Sequence, residues 1–207
     1  MADPAKQRTV YEQFLEVPDD RVAEIVNGEL YVSPRPVGGH TVAASTLGFM
    51  LGPPFQFGGG NGPGGWHIFY EPELHLDGHI LVPDLAGWGV ERMPEIQRDS
   101  QFDVAPDWIC EVLSPSTAAL DRARKLPIYA ACGVGHAWIV DPRARTVDIM
   151  RLYEGKWLIV AVHSGAEPVR AEPFEAIELD FSKLWAAVAP PPHSHVGEPG
   201  AAYDHAY

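Results

Sequence analysis

A mixed α/β domain around a central sheet is the fold class this sequence predicts, and three observations predict it. Trp108–Leu113 and Ala137–Val140 are short, continuous apolar runs, the pattern of strands covered on both faces. Between them lies a segment with helical spacing that ends at Gly133, so strand, helix and strand follow one another. Asn27-Gly28 and Glu154-Gly155 each sit between two β-rich runs and read as hairpin turns.

The chain has 207 residues, enough for one sizeable core. We expect one domain over 1–189 and a mobile tail over 190–207, where Pro, Gly, Ala and His dominate. That tail has no structure to fix the geometry of its histidines around a metal. No apolar run approaches the ~18 residues that a membrane span needs. The first residues lack the apolar core of a signal peptide, and Cys110 and Cys132 read as two reduced thiols in predicted buried elements, so a cytoplasmic protein is expected. A formal net charge of −13 argues against broad attraction to nucleic acid, while leaving room for a local basic groove. Arg122, Arg124, Lys125, Arg143 and Arg145 cluster around the central unit.

In order along the chain, Thr9 and Glu12 form a capping-box pattern that predicts a helix to about Val17. Arg21–Val26 and Glu29–Ser33 make the first hairpin, with Glu24 reading as a partly exposed acid on an edge strand. Spacing predicts a helix from His40 to Leu51, stopped by Gly52-Pro53-Pro54, with His40 on the surface of its first turn. Gly58–Gly65 is a glycine-rich loop, but no Gly-Lys-Ser/Thr follows it and it does not read as a phosphate cradle. Trp66–Leu76 is β-rich and interrupted at Pro72, with Glu71 and Glu73 on one face. Ile80–Trp88 reads as one strand with Pro83-Asp84 wedged into it, and Glu91–Pro106 as a polar loop. In the central helix Leu120, Ala123 and Leu126 share the apolar side. Thr146–Tyr153 and Trp157–Val162 form the last hairpin, Phe174–Leu179 a short strand, and Asp180 caps a final helix over Lys183–Val188.

Two acids interrupt apolar strand patterns, Asp84 and Glu111. A charge there is costly unless it is paired or bound to a cation. If the two strands are neighbours, the carboxylates repel each other unless a cation sits between them. Oxygen ligands suit Mg²⁺ or Mn²⁺. Lys125, four residues after Asp121 on the following helix, would supply an ammonium to the same place. The alternative is structural: Asp84 ends a strand, Glu111 pairs with Arg122 or Arg124, and Lys125 is a solvated helix charge.

Val82-Pro83-Asp84, Ala105-Pro106-Asp107, Glu111-Val112-Leu113-Ser114-Pro115-Ser116-Thr117, Asp121, Lys125, Tyr129-Ala130, Gly133-Val134 and Trp138-Ile139-Val140-Asp141-Pro142 occur as an ordered set. Glu24–Leu30, Ser33-Pro34, His40 and Tyr70–Leu76 precede or interleave with it. Over roughly residues 10 to 155 the set resembles the Uma family of restriction-endonuclease-like proteins, within the PD-(D/E)XK nuclease superfamily. The resemblance implies a restriction-endonuclease-like core: a central mixed sheet flanked by helices, with an N-terminal and a C-terminal hairpin. It implies that Asp84 and Glu111 are the metal-binding acids and that Lys125 completes the catalytic set. The superfamily pattern wants lysine two positions after the second acid, where this chain has Leu113; Lys125 matches a lysine moved to the next helix. Pro127 would kink a helix interior or begin a second segment, leaving Lys125 at the junction. Glu24 becomes a candidate for the metal shell, His40 for positioning substrate, Asp121 for orienting Lys125, and Glu71 and Glu73 for weaker support.

The implied function is Mg²⁺-dependent hydrolysis of phosphodiester bonds, in DNA, with Mn²⁺ as a substitute ion and a homodimer to provide two sites for two strands. A binding or assembly protein on the same fold is the alternative, which the acidic balance favours. A two-carboxylate glycosidase would give Lys125 no role.

Overall fold

The computed structural model describes residues 8–96 and 101–187. The elements are α1 (Val10–Phe14), β1 (Arg21–Val26), β2 (Glu29–Pro34), α2 (Gly39–Leu51), β3 (Trp66–Tyr70), β4 (Glu73–Leu76), β5 (His79–Leu81), β6 (Leu85–Gly89), β7 (Gln101–Phe102), β8 (Trp108–Val112), α3 (Ala118–Leu120), α4 (Leu126–Ala131), β9 (His136–Asp141), β10 (Thr146–Tyr153) and β11 (Lys156–His163). Two mixed sheets result. One runs β11-β10-β9-β8-β6-β3, the other β2-β1-β5-β4-β7. β8 and β9 are parallel, joined by the helical crossover, and both hairpins have the expected antiparallel register.

Strand alternation divides the core. From β8, Trp108, Cys110 and Val112 pack with α2 and the C-terminal segment; Ile109, and Leu113 just past the strand, pack on the other side, with α4 and the five-stranded sheet. From β9, Trp138 and Val140 take the first side, Ala137 and Ile139 the second. The period of two therefore sends Glu111 to the second side, toward α4. Both cysteines are free, Cys110 buried and Cys132 only partly so.

Several expectations need correction. Ile80–Trp88 is not one strand. Pro83 offers no amide proton to a ladder, and the chain crosses from β5 in one sheet to β6 in the other, with Asp84 at the crossing. Pro53-Pro54 does not end α2: a π-type turn, Gly52–Gln56, continues it, with proline in the first turn and Phe57 N donating to Gly52 O at 3.2 Å. The glycine loop is explained by this continuation. Gly59 N and Gly64 N donate to the carbonyls of Pro53 and Pro54, and a Cβ on Gly62 would lie 2.2 Å from Pro54 O. Gly62→Ala is expected to cost roughly 1–3 kcal/mol by forcing backbone apart, measurable as a lower midpoint of urea denaturation. β7, within the segment read as a loop, pairs in parallel with β4. The capping box at Thr9 is present, but α1 stops at Phe14. Phe174–Leu179 contributes only the bridge Val169↔Leu179, and the last helix is a 3₁₀ turn, Phe181–Leu184, capped by Asp180. Val188 and the expected tail at 190–207 lie outside the described residues. No helix among the described residues is long and apolar enough to cross a membrane.

The central helix departs most. It is α3, then a π-type turn over Asp121–Lys125, then α4, with Pro127 in the first turn of the last segment, where its missing N–H costs little. The expected apolar face holds only in part: Leu126 is buried and Leu120 packs half-buried beside it, but Ala123 is exposed, while Asp121 and Lys125 are buried. The π-type turn aims two charged residues inward, and their pairing there overrides the apolar spacing.

Candidate functional site

A cleft of about 530 Å³ opens between the two sheets and the start of the crossover. Glu24, His40, Glu71, Asp84, Glu111, Asp121 and Lys125 all line it. Glu24, Asp84, Glu111, Asp121 and Lys125 are the buried charged residues among those described. The convergence has local causes. β6 and β8 are antiparallel neighbours, with Leu85 opposite Cys110, so the residues just before and just after that pair, Asp84 and Glu111, share one face. The π-type turn brings Lys125 over that face.

Lys125 is the hub. Its Nζ lies 2.9 Å from Glu111 Oε1, 2.8 Å from Glu24 Oε1 and 3.5 Å from Asp121 Oδ1, and it donates to Val82 O at 3.3 Å. Glu111 thus pairs with Lys125, not with Arg122 or Arg124; Arg122 reaches Asp148. Glu24 also corrects its expected place. β1 lies inside the five-stranded sheet between β2 and β5, and Glu24 is buried, taking Val82 N at 2.8 Å besides Lys125. The strand that covers it comes from residues 79–81, a pairing no local pattern around Glu24 signals.

Asp84 is held separately. Val112 N donates to its Oδ2 at 2.7 Å, and His40 Nε2 lies 3.2 Å from its Oδ1. His40 is therefore not a surface residue: its side chain is 12% exposed, and its Nδ1 is buried without a hydrogen-bond partner. Glu71 and Glu73 do not share a strand. Glu71 sits in the break between β3 and β4 at φ 45° and pairs with Arg35 at the cleft wall; Glu73 pairs with His75 at 2.7 Å, away from the hub. Tyr129 stands in the ordered motif with no role assigned by the sequence. It is fully buried, and its hydroxyl donates to Glu111 Oε1 at 2.8 Å. Its place in the ordered motif was the only signal for it.

Charge is out of balance here. Three carboxylates, Glu24, Glu111 and Asp121, surround one ammonium, and Asp84 lines the same cleft. Burial pushes the Glu111 carboxyl well above its usual range; Lys125 pulls it down, and Asp121, Asp84 and Glu24 push it up further. Burial alone would lower the Lys125 ammonium, but Glu111, Glu24, Tyr129 and Asp121 outweigh it and hold the lysine well above its usual value. Burial likewise raises Asp121, against the pull of Lys125. Burial would lower His40, yet its bond to Asp84 and the charges of Asp84, Asp121 and Glu71 raise it.

A cation would relieve that surplus. No group of three or more His, Cys, Asp or Glu among the described residues is gathered to hold a metal by itself. Mg²⁺ does not need one: it is commonly held by one or two carboxylates, with water and substrate phosphate completing its shell. Two hard-oxygen acids on one face of an open cleft fit that ion.

A mixed sheet with a parallel helical crossover, an acid on β8 and another at the turn into β6 fit a restriction-endonuclease-like core. The chain belongs to the Uma2 family, described as "putative restriction endonuclease", whose model matches residues 11–182. Its fold is similar to the crystal structure of a "putative nuclease belonging to DUF820" from Anabaena variabilis, with TM-score 0.66 and 21% identity over 86% of this chain and 98% of that one. No curated protein matches it.

Proposed function

We propose that this cleft is the active site of a Mg²⁺-dependent endonuclease that hydrolyses phosphodiester bonds in DNA, Mn²⁺ serving as well. The observation that carries the reading is the surplus of buried carboxylates around Lys125, on a cleft in a chain of this family. Asp84 and Glu111 would hold the ion. Bound there, it would polarise a phosphoryl oxygen and acidify a water. The other work falls to the chain. Val112 N and His40 fix the Asp84 carboxylate; Glu24 and Asp121 fix the Lys125 ammonium, which orients the attacking water or offsets charge gathering on the phosphoryl oxygens. Half-exposed Arg35 and exposed Arg143, both lining the cleft, supply positive charge for the phosphate backbone.

The reading includes a homodimer, since cutting both strands calls for two sites. β11, at the edge of its sheet, exposes Leu158, Ile159 and Val162 for such a contact. It also takes the protein to be cytoplasmic, in keeping with two free thiols.

Supercoiled-plasmid cleavage tests the site. Wild type should nick or linearise DNA with Mg²⁺ or Mn²⁺ and not with chelator. Asp84→Asn keeps an oxygen for Val112 N but loses the charge, and should cut at least ~10²-fold more slowly. Equal rates would remove Asp84 from the mechanism. Metal-independent behaviour combined with tight self-association would favour the assembly-protein alternative.

A further inference from the structure

Glu111 has two oxygens, and its neighbours treat them differently. Tyr129 Oη donates to Oε1 at 2.8 Å, and Lys125 Nζ lies 2.9 Å from that same atom. No hydrogen bond among the described residues reaches Oε2, although Glu111 lines the cleft. A carboxylate turns readily about its last side-chain torsion, which is broad and two-fold. Two donors on one oxygen remove that freedom. Neither donor is itself loose. Tyr129 is wholly buried in α4 among the apolar side chains of the second core, and the ammonium is held by Glu24 and Asp121 as well.

We infer that Tyr129 is a positioning residue: with Lys125 it pins Oε1 of Glu111, so that Oε2 alone is presented to the cleft as the oxygen offered to a divalent cation. The inference rests on reading the cleft as a divalent-cation site. A buried tyrosine hydroxyl needs some acceptor whatever the function. The convergence on the oxygen that Lys125 already occupies gives the bond a consequence for the other oxygen. Partners of this kind behind a ligating group commonly change metal affinity 10–100-fold.

The test is Mn²⁺ binding, read from the loss of the free-ion electron paramagnetic resonance signal on titrating full-length protein, beside thermal melts of the metal-free form. Tyr129→Phe keeps the ring and removes the hydroxyl; Tyr129→Met removes the hydroxyl with a different shape. Both should weaken Mn²⁺ binding by roughly 10–100-fold, with a correspondingly smaller Mn²⁺-induced rise in melting temperature. A purely structural tyrosine would lower the metal-free melting temperature and leave Mn²⁺ affinity alone, and that result would overturn the inference. Wild-type protein binding Mn²⁺ while both variants bind it equally well sinks this inference only. Failure of wild type itself to bind Mn²⁺ sinks the metal-nuclease reading and this one with it.

Discussion

Replacing Lys125 with methionine is expected to abolish cleavage and to lower the stability of the metal-free protein by roughly 3–5 kcal/mol at neutral pH. Methionine fills much the same volume, so the loss would come from charge. Without the ammonium, Glu24 and Glu111 keep their buried carboxylates and lose the cation 2.8 and 2.9 Å away. The sign with pH follows from Glu111. Its carboxyl is raised in the folded state, first by burial, so the fold favours the protonated form. That contribution is fully present below the ordinary glutamate value, about 4.3, and is lost as pH rises through the folded value. Lys125 is what restrains this shift, so removing it should enlarge the penalty as pH rises. Urea denaturation at about pH 5 and about pH 8 should give a small deficit in the first case and the full one in the second. Equal stability of variant and wild type at both would mean that the ammonium is not compensating these acids.

Glu111→Gln should separate function from stability in the opposite direction. Cleavage should fall by ~10³-fold or more, and Mn²⁺ binding should be lost, because the glutamine amide cannot replace an anionic ligand. Metal-free stability should hold or rise by roughly 0.5–2 kcal/mol. Glutamine keeps an oxygen for Tyr129 and Lys125 yet has no charge to bury, and Glu24 and Asp121 remain beside the lysine. The gain should widen with pH, since the wild-type carboxylate is increasingly forced to ionise. Calorimetric Mn²⁺ titration and urea denaturation of the same preparation check both halves. A variant that is less stable and still cuts would reverse the assignment of Glu111 from functional acid to structural one.

Much of the scaffold was readable because it is local. The hairpins at Asn27-Gly28 and Glu154-Gly155, α2, and the strand-helix-strand unit all announce themselves by period and turn chemistry within a dozen residues. Asp84, Glu111 and Lys125 stood out because each breaks an apolar or motif pattern. Glu24 and His40 were misplaced on the surface because what covers them is distant in sequence: β5 pairs beside β1, and Asp84 reaches His40. Tyr129 carries no local sign of its role, since its hydroxyl's partner lies on another element.

By itself, the sequence determined the two hairpins, α2 and the strand-helix-strand unit, and that acids stand where the apolar pattern forbids them. Both follow from short-range sterics and the cost of burying charge. The tertiary structure alone decided that Pro83 moves the chain from one sheet to the other, that the Asp121–Lys125 turn rotates a lysine inward, and that three carboxylates meet one ammonium. Those outcomes depend on strand neighbours and helix phase. A chain fixes these only once its buried charges have found one another, because an unpaired charge in the core costs more than a distorted turn.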